Sequence, residues 1–298
     1  MKFSFSQWEL CPQDKTIEFL KSEGVKFVEP GPDFLLKFTE NEIINISEKY
    51  KTANINFYSI HAPFAGENDL SNLDTARRTK AVAILKEFIS RASLANIKCL
   101  IIHPGDFIGN DCETTRLKEF EKSMETLLPL AINNNLLLAV ENMPPTSAGS
   151  SIADILKIVN KFDSKNIGIC FDTGHVNISN ENILTALDEA SDKIIAFHFH
   201  DNDGERDLHL QPPYGTIDWK SLIKTISKYN YNFPALVEAK PWNNSSPSQL
   251  LKEVELLFSG NIFEMEIGGK TANVFCEKCK HFFFVQNDEK SCYCDVST

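Results

Sequence analysis

Short apolar runs alternate with amphipathic stretches from the first residues of the chain to about residue 260. The runs are brief and almost continuously apolar, which is typical of parallel strands covered on both faces. They predict strands at residues 2–6, 25–28, 56–60, 98–102, 136–140, 167–171, 194–199 and 235–237. The amphipathic stretches predict helices at residues 14–22, 41–50, 74–95, 115–133, 152–159, 181–190, 219–228 and 247–257. Eight strands alternating with eight helices predict an α/β fold, the (β/α)₈ TIM barrel.

A doubly wound sheet is the alternative arrangement of repeated strand and helix units. Such a sheet normally places a glycine-rich phosphate loop after its first strand. Here the first predicted strand is followed by Gln-Trp-Glu-Leu at residues 7–10, with no glycine. The sequence therefore favours a TIM barrel over residues 1–260, followed by a separate cysteine-rich tail over residues 270–298.

The charge of the chain limits its partners. The 298 residues include 30 Lys and Arg against 41 Asp and Glu, a formal net charge of -11. Proteins that coat nucleic acid usually carry the opposite balance, so we do not expect nucleic acid as a partner. No segment reaches the ~18 consecutive apolar residues of a membrane span, and the N-terminus lacks the pattern of a secretory signal. We expect a cytoplasmic protein without a membrane partner, and a homo-oligomer is compatible with the sequence.

Polar side chains collect where the predicted strands end, and six of the seven histidines lie at or just after such an end. The set comprises His61, His103, Glu141, Asp172, His175, His198, His200, Asp207, His209 and Glu238. In a TIM barrel the carboxyl ends of the strands converge on one mouth. Carboxylates and imidazoles buried there need a compensating charge, and mixed ligands of this kind suit zinc, manganese, cobalt or iron. We therefore expect divalent metal in the barrel.

Taken singly, a histidine at a strand end is more often a hydrogen-bonded structural residue than a metal ligand. His198 and His200 lie two residues apart and so share one face of their strand. One of them can therefore be a ligand while the other supports it. Six histidines at one end of a barrel are harder to explain as separate structural residues, and the joint pattern favours a metal site.

The ordered motifs resemble the xylose isomerase-like TIM barrel superfamily, which includes sugar phosphate isomerases and epimerases and endonuclease IV. The resemblance covers roughly residues 1–260. Its motifs are His-Ala-Pro-Phe (61–64), His-Pro-Gly (103–105), Glu-Asn (141–142), Asp-Thr-Gly-His (172–175), His-Phe-His-Asp-Asn-Asp-Gly (198–204), Asp-Leu-His (207–209), Gly-Thr-Ile-Asp-Trp (215–219) and Glu238. Most are weak alone, but together and in this order they are specific.

The resemblance implies a set of metal ligands. Epimerase-like members hold one metal through residues that correspond to Glu141, Asp172, His198 and Glu238. Endonuclease IV-like members hold three zinc ions with five more ligands, which correspond to His61, His103, His175, Asp207 and His209. All nine positions carry the expected residue type. The resemblance therefore implies one to three ions of zinc, manganese or cobalt.

A sugar or sugar phosphate isomerase or epimerase is the favoured function. The metal would chelate two adjacent substrate oxygens, and Glu141 and Glu238 would move a proton through an enediolate. His175 or His200 would steady the substrate oxygens. Candidates for substrate binding are Trp8, Arg206 and Lys240, of which the two cations suit a phosphate.

The alternative is an endonuclease IV-like zinc phosphodiesterase that acts on abasic DNA or on a smaller phosphoester. The ligand count favours this alternative. A role in DNA repair is disfavoured by the acidic chain and by the loops at residues 30–34 and 65–69, which contain no Lys or Arg. A third class, a metal-stabilised binding protein without catalysis, is disfavoured because the acid and base residues are intact.

Four of the eight cysteines, Cys276, Cys279, Cys292 and Cys294, lie near the end of the chain. Two pairs of thiolates resemble a zinc ribbon, although the second pair is Cys-x-Cys rather than Cys-x-x-Cys. A segment of this size buries too little apolar surface to fold without metal. We expect a structural zinc here, with free thiols or a redox pair as alternatives. The scattered Cys11, Cys99, Cys112 and Cys170 are expected to be unpaired core or surface residues.

Overall fold

The strand-like runs form one sheet in the computed structural model, which describes residues 1–8, 10–109, 111–241 and 245–260 and the backbone of residues 262–267 and 270–275. The strands are β1 Lys2–Gln7, β2 Phe27–Pro30, β3 Asn56–Phe57, β4 Ser59–His61, β5 Cys99–Ile102, β6 Leu137–Glu141, β7 Ile167–Asp172, β8 Ile194–Phe199 and β9 Pro234–Val237. Their order in the sheet is β3-β2-β1-β9-β8-β7-β6-β5-β4, and all neighbours pair in parallel.

The third predicted strand is divided into β3 and β4 by Tyr58. β3 pairs with β2, whereas β4 pairs with β5 at the other edge of the sheet. The Tyr58 carbonyl accepts hydrogen bonds from the backbone N–H groups of Lys98 and Cys99. The run over residues 56–61 therefore joins the two edges, and nine strand segments occupy the eight strand positions of a TIM barrel.

All eight predicted helices are present, and they cover the outside of the sheet. The helices are α1 Asp14–Ser22, α2 Asp33–Leu36, α3 Glu40–Thr52, α4 Thr75–Leu94, α5 Glu113–Asn133, α6 Ile152–Phe162, α7 Thr173–Ile178, α8 Ile183–Ala190, α9 Trp219–Ile226 and α10 Pro247–Phe258. The short helices α2 and α7 were not predicted, because 4 and 6 residues are too few to establish a helical period.

Side-chain caps fix several helix starts. Thr39 and Glu42 form a capping box at α3, and the Asp74 carboxylate accepts from the N–H groups of Ala76 and Arg77 at α4. Such caps satisfy N–H groups that lack a partner within the helix. They therefore fix the residue at which each of these helices begins.

Apolar side chains fill the barrel in two layers. The main core lies between the sheet and the helices and includes Trp219, Phe88 and Phe120. Below the mouth, the inside of the barrel holds small and aliphatic residues, namely Cys99, Ile101, Ala139, Cys170 and Ala196. Cys99 and Cys170 are buried and unpaired, while Cys11 and Cys112 are exposed and unpaired, as the sequence predicted.

After the barrel, the strands β10 Ile262–Ile267 and β11 Lys270–Phe275 form an antiparallel hairpin. The four cysteines expected to bind a structural zinc, Cys276, Cys279, Cys292 and Cys294, lie outside the described residues, so the tail zinc stays a prediction. Among the residues that the structure describes, no helix is both long and apolar enough to cross a membrane.

A buried ion pair fastens the loop after β4 to helix α5. Arg116 of α5 pairs with Asp69 of the loop, and both residues are buried. Arg116 also donates to Ser71 Oγ at 3.0 Å and to Asp111 at 3.1 Å. Because the loop begins just after His61, this pair helps to hold one side of the mouth in place.

Replacement of Asp69 by alanine should lower the free energy of unfolding by about 3–5 kcal/mol, because it leaves the Arg116 guanidinium buried without its main partner. Asp111 is the matched control, since its side chain is 41% exposed. Asp111→Ala should cost less than about 1 kcal/mol. Urea unfolding followed by circular dichroism measures both values, and equal losses in the two variants would contradict this account of the pair.

Candidate metal centre

The carboxyl ends of the strands open into one cleft with a volume of about 750 Å³. One part of its wall is apolar and includes Trp8, Leu10 and Phe64. The acidic, basic and imidazole side chains that line it are His61, His103, Asp106, Glu141, His175, Asp207, His209, Glu238 and Lys240. The cleft thus contains seven of the nine predicted ligands, and the other two, Asp172 and His198, are buried beside them.

A first ligand group lies at the ends of β4, β5 and β6. His61 Nε2 and His103 Nε2 are 3.0 Å apart. They lie 3.5 Å and 3.2 Å from the same carboxylate oxygen, Glu141 Oε2. Three nitrogen and oxygen atoms from three strands therefore meet at one point.

A second group surrounds His198 at the centre of the mouth. His198 Nδ1 lies 3.0 Å from Glu141 Oε1 and 2.7 Å from Glu238 Oε2. Asp172 Oδ2 lies 4.0 Å from the same nitrogen. These are the four residues that the resemblance assigns to a single metal, and their ligand atoms lie together in the structure.

A third group is built around Asp207, in the loop after β8. Asp207 Oδ2 lies 3.4 Å from His175 Nε2 and 3.3 Å from His209 Nε2. The Asp207 carboxylate is partly exposed, with 33% of its side chain accessible, so this group lies nearest to solvent. The nine predicted ligands are therefore brought together as three groups, with Glu141 shared by the first two.

Backbone carbonyl groups orient three of these imidazoles. His61 Nδ1–H donates to the Ala62 carbonyl at 2.7 Å. His175 Nδ1–H donates to the Asn142 carbonyl at 2.8 Å, and His209 Nδ1–H to the Glu238 carbonyl at 2.9 Å. Because Nδ1 donates to a carbonyl group in each ring, Nε2 faces the mouth, and it offers a lone pair there once its own proton has been lost. This arrangement is the usual one for a metal-binding histidine.

Asn142 links the ends of two neighbouring strands below the second group. Its side-chain amide donates to the Asp172 carbonyl at 3.1 Å and accepts from the Asp172 N–H at 2.8 Å. Asn142 is fully buried, so both bonds are protected from water. The Glu-Asn motif therefore supplies a candidate ligand, Glu141, and the residue that links the end of its strand to Asp172.

His200 is a support rather than a lining residue. Its ring is fully buried, Nε2 lies 2.9 Å from Asp172 Oδ1, and the ring stacks on His209 at a centroid distance of 4.1 Å. Gly174 makes room for the ring, because a Cβ at that position would lie 1.9 Å from the His200 ring. His200 also lies 3.8 Å from Asp207, so it adjoins three of the nine predicted ligands. Its predicted role in steadying substrate oxygens stays a prediction.

The acids and imidazoles compensate one another's charge. Burial disfavours the protonated form of His175, but Asp172, Asp207 and Glu141 raise its pKa to about 10. Burial disfavours the ionised form of Glu238, but the charge of His198 lowers its pKa to about 2. Protons on the imidazoles therefore supply positive charge that a divalent cation would also supply, so protons and metal compete for the same atoms.

The spacing of the donor atoms fits divalent metal. Two ligands bound 2.0–2.1 Å from a tetrahedral cation lie about 3.3 Å from each other. The pairs of the first and third groups span 3.0–3.5 Å and 3.3–3.4 Å. In addition, the buried Glu141 Oε2 has no hydrogen-bond partner among the described residues. The donor atoms of the first group, and those around Asp207 in the third, are therefore spaced as zinc or a similar cation requires.

The candidate substrate-binding residues lie in different surroundings. Trp8 and Lys240 line the cleft, and the Trp8 ring lies edge-on to His61 at a centroid distance of 5.4 Å. Arg206 does not line the cleft; its guanidinium pairs with Asp203 at 2.6 Å, and its side chain is 72% exposed.

Glu29, at the end of β2, was not identified from the sequence. Its carboxylate is buried 3.5 Å from His198 Nε2. The rule that identified the ligands, a polar residue directly after an apolar strand, also applies to Glu29, because it follows the predicted strand at residues 25–28.

The parallel barrel and the nine converging ligand residues define a class: TIM barrels with a candidate metal centre at the carboxyl ends of the strands. A sequence profile described as xylose isomerase-like TIM barrel matches residues 17–258. The chain belongs to this family, which confirms the resemblance seen in the sequence.

Individual relatives carry names of two kinds. A probable endonuclease 4 from Acholeplasma laidlawii is 25% identical over 239 residues, which are 74% of this chain and 79% of that relative. The crystal structure of a D-tagatose 3-epimerase-like protein superposes with a TM-score of 0.76 at 23% identity, over 87% of this chain and 98% of the other. The IolI protein, solved with a bound zinc atom, gives a TM-score of 0.74 at 17% identity over the same shares. At these identities, the two structures establish the shared fold.

Replacement of Gly174 by alanine should disturb the second and third groups through His200, because the added methyl group overlaps the imidazole ring. We expect Gly174→Ala to lower the free energy of unfolding by about 1–3 kcal/mol. The double variant Gly174→Ala/His200→Ala removes the overlap and should show a coupling energy above about 0.5 kcal/mol. Thermal or urea unfolding measures the cycle; strictly additive losses would mean that the methyl group does not act through His200.

Proposed function

We propose that the protein is a metal-dependent hydrolase that cleaves a phosphate ester of a small, sugar-like molecule, using up to three divalent cations. The observation that carries this proposal is the position of Glu141. Its Oε1 lies 3.0 Å from His198 Nδ1, in the second ligand group, and its Oε2 lies 3.2 Å from His103 Nε2, in the first. A carboxylate with its two oxygens in different groups can bridge two cations.

Three adjacent groups suit a phosphate ester. Bound divalent cations supply positive charge to phosphoryl oxygens and acidify water. Glu238 lines the cleft, and His198 lowers its pKa to about 2, so its carboxylate is ionised at neutral pH. Glu238 can therefore accept a hydrogen bond from the attacking water and hold it in line with the phosphorus.

The rest of the cleft supports a small anion. Of the described residues that line it, Lys240 is the only Lys or Arg, and it would bind a second anionic group of the substrate. Trp8 and Phe64 offer an apolar surface next to the first ligand group. A single lysine and a net charge of -11 do not suit a nucleic-acid polyanion. The sugar-epimerase names of structural neighbours support a sugar-like substrate.

A sugar isomerase or epimerase is the second candidate. It is favoured by the second ligand group, which alone would hold the single metal that such a reaction needs, and by the fold shared with the D-tagatose 3-epimerase-like protein. Glu141 and Glu238 would then carry the proton between the two faces of the substrate carbon. This candidate gives His175 a role in holding substrate oxygens but assigns no role to the clustered donor atoms of the first group, so we place it second.

The number of bound ions distinguishes the two candidates. In protein saturated with zinc, Asp207→Ala and His103→Ala should each lower the zinc content by one ion per chain, because each removes a ligand that the second group does not use. Asp203→Ala is the matched control, since Asp203 lies in the same loop but pairs with Arg206. Elemental analysis by mass spectrometry measures the zinc content of each variant relative to the unmodified protein. A zinc ion bound elsewhere in the chain contributes equally to both values and drops out of the difference. An unchanged zinc content in both test variants would contradict the three-group centre.

Hydrolysis itself is tested with p-nitrophenyl phosphate and bis(p-nitrophenyl) phosphate. We expect metal-dependent release of nitrophenol, with kcat at least about 10²-fold lower in His103→Ala and Asp207→Ala, since each loses charge that stabilises the transition state. The same preparation should not exchange substrate hydrogen with D₂O on D-tagatose. Hydrogen exchange that disappears in Glu238→Gln would establish the isomerase or epimerase instead. Cleavage of an abasic-site duplex would contradict the proposal that the substrate is a small molecule.

A further inference from the structure

His198 is oriented differently from the three mouth imidazoles that donate Nδ1–H to backbone carbonyl groups. Its Nδ1 faces the mouth, 2.7 Å from Glu238 and 3.0 Å from Glu141. Its Nε2 points away from the mouth, toward the interior of the barrel. For Nδ1 to bind a cation, the proton of the neutral ring must lie on Nε2, so the group that faces Nε2 decides whether the ring is ready to bind.

The Glu29 carboxylate faces Nε2. Its Oε1 lies 3.5 Å from His198 Nε2, and the side chains are 4% and 1% exposed. Within the part of the chain that the structure describes, neither His198 Nε2 nor Glu29 Oε2 has a hydrogen-bond partner. A buried carboxylate therefore lies beside a buried imidazole nitrogen that has no hydrogen-bond partner among the described residues, and leaving a proton on that nitrogen unsatisfied would cost free energy.

Glu29 does not reach the cleft. It is the third residue of β2, where it is paired in register with Ser6 of β1, and it is absent from the residues that line the cleft. The carboxylate is therefore not placed to touch substrate or to accept a proton from it. Any effect on the chemistry must pass through His198.

We propose that Glu29 is a positioning residue that holds the proton of His198 on Nε2 and so keeps Nδ1 free to bind a divalent cation in the second ligand group. A carboxylate behind a metal-binding imidazole fixes the tautomer and the ring orientation and makes the ligand nitrogen more basic. The inference rests on the metal-binding part of the proposed function and does not depend on which reaction follows.

The test isolates the second group in the variant His103→Ala/Asp207→Ala, in which the other two groups each lack a ligand. Into this background we introduce Glu29→Gln, which keeps the size of the side chain and removes its charge. Glu253→Gln is the matched control, because Glu253 is also buried but lies on α10, where it pairs with Gln211. Zinc affinity is measured by competition with a chelator of known affinity, and the His198 tautomer by ¹⁵N NMR of labelled imidazoles.

Glu29→Gln should weaken zinc binding by about 10–100-fold and should allow His198 to populate the Nδ1–H tautomer. The control Glu253→Gln should change neither reading. Glu29→Asp keeps the charge on a shorter side chain and should recover part of the zinc affinity that Glu29→Gln loses. Zinc affinity within twofold of the background for Glu29→Gln, or equal losses for the Asp and Gln variants, would overturn the role of Glu29.

The two proposals fail in different ways. If the unmodified chain is folded and binds no zinc at the second group, the metal centre and the proposed function both fail. If the unmodified chain binds zinc and Glu29→Gln binds it equally well, only the role of Glu29 fails.

Discussion

The structure depends on the compensation of buried charge at the barrel mouth. Asp172, Glu141 and His198 are almost completely buried, and the carboxylates lie within hydrogen-bonding or ion-pair distance of imidazoles. An isolated charge in such a place would be very unfavourable, so each group requires opposite charge within a few ångströms. Protonated imidazoles can provide that charge, and the spacing of the donor atoms also suits divalent cations, so the mouth is a candidate metal centre.

The barrel brings these ligands together because parallel strands end at one edge. The convergence of the strand ends does not by itself bring the donor atoms to about 3 Å from one another, and additional contacts are needed to hold them there. Asn142 fixes the spacing between two strand ends, and His200, accommodated by Gly174, holds Asp172 from behind. Arg116 and Asp69 anchor the loop that follows His61. None of these supporting residues lines the cleft. The motifs at the strand ends therefore contain both candidate ligands and residues that hold those candidate ligands in position.

Much of the fold and of the candidate site could be predicted from the sequence, and there are physical reasons why the other features could not. The repeated apolar runs identified the barrel. The polar residues after those runs, together with the family resemblance, predicted nine metal ligands, and the structure places these nine residues close together. The division of the third strand at Tyr58 and the short helix that starts at Thr173 leave no periodic trace in so few residues. Glu29 directly follows the predicted strand at residues 25–28 and was overlooked, although the rule that identified the other acids also applies to it. The surroundings of His200 and Arg206 depend on side-chain directions that a one-dimensional pattern does not contain.

We propose that the nine residues form three adjacent cation sites, of which the first and second share Glu141. Crystallography of the zinc-loaded protein, with anomalous diffraction recorded above and below the zinc absorption edge, tests it most directly. The account predicts three anomalous peaks at the mouth: one among His61, His103 and Glu141, one among Glu141, Asp172, His198 and Glu238, and one among His175, Asp207 and His209. A single peak at the second group in fully loaded crystals, with the imidazoles of the other groups hydrogen-bonded to carboxylates alone, would contradict it.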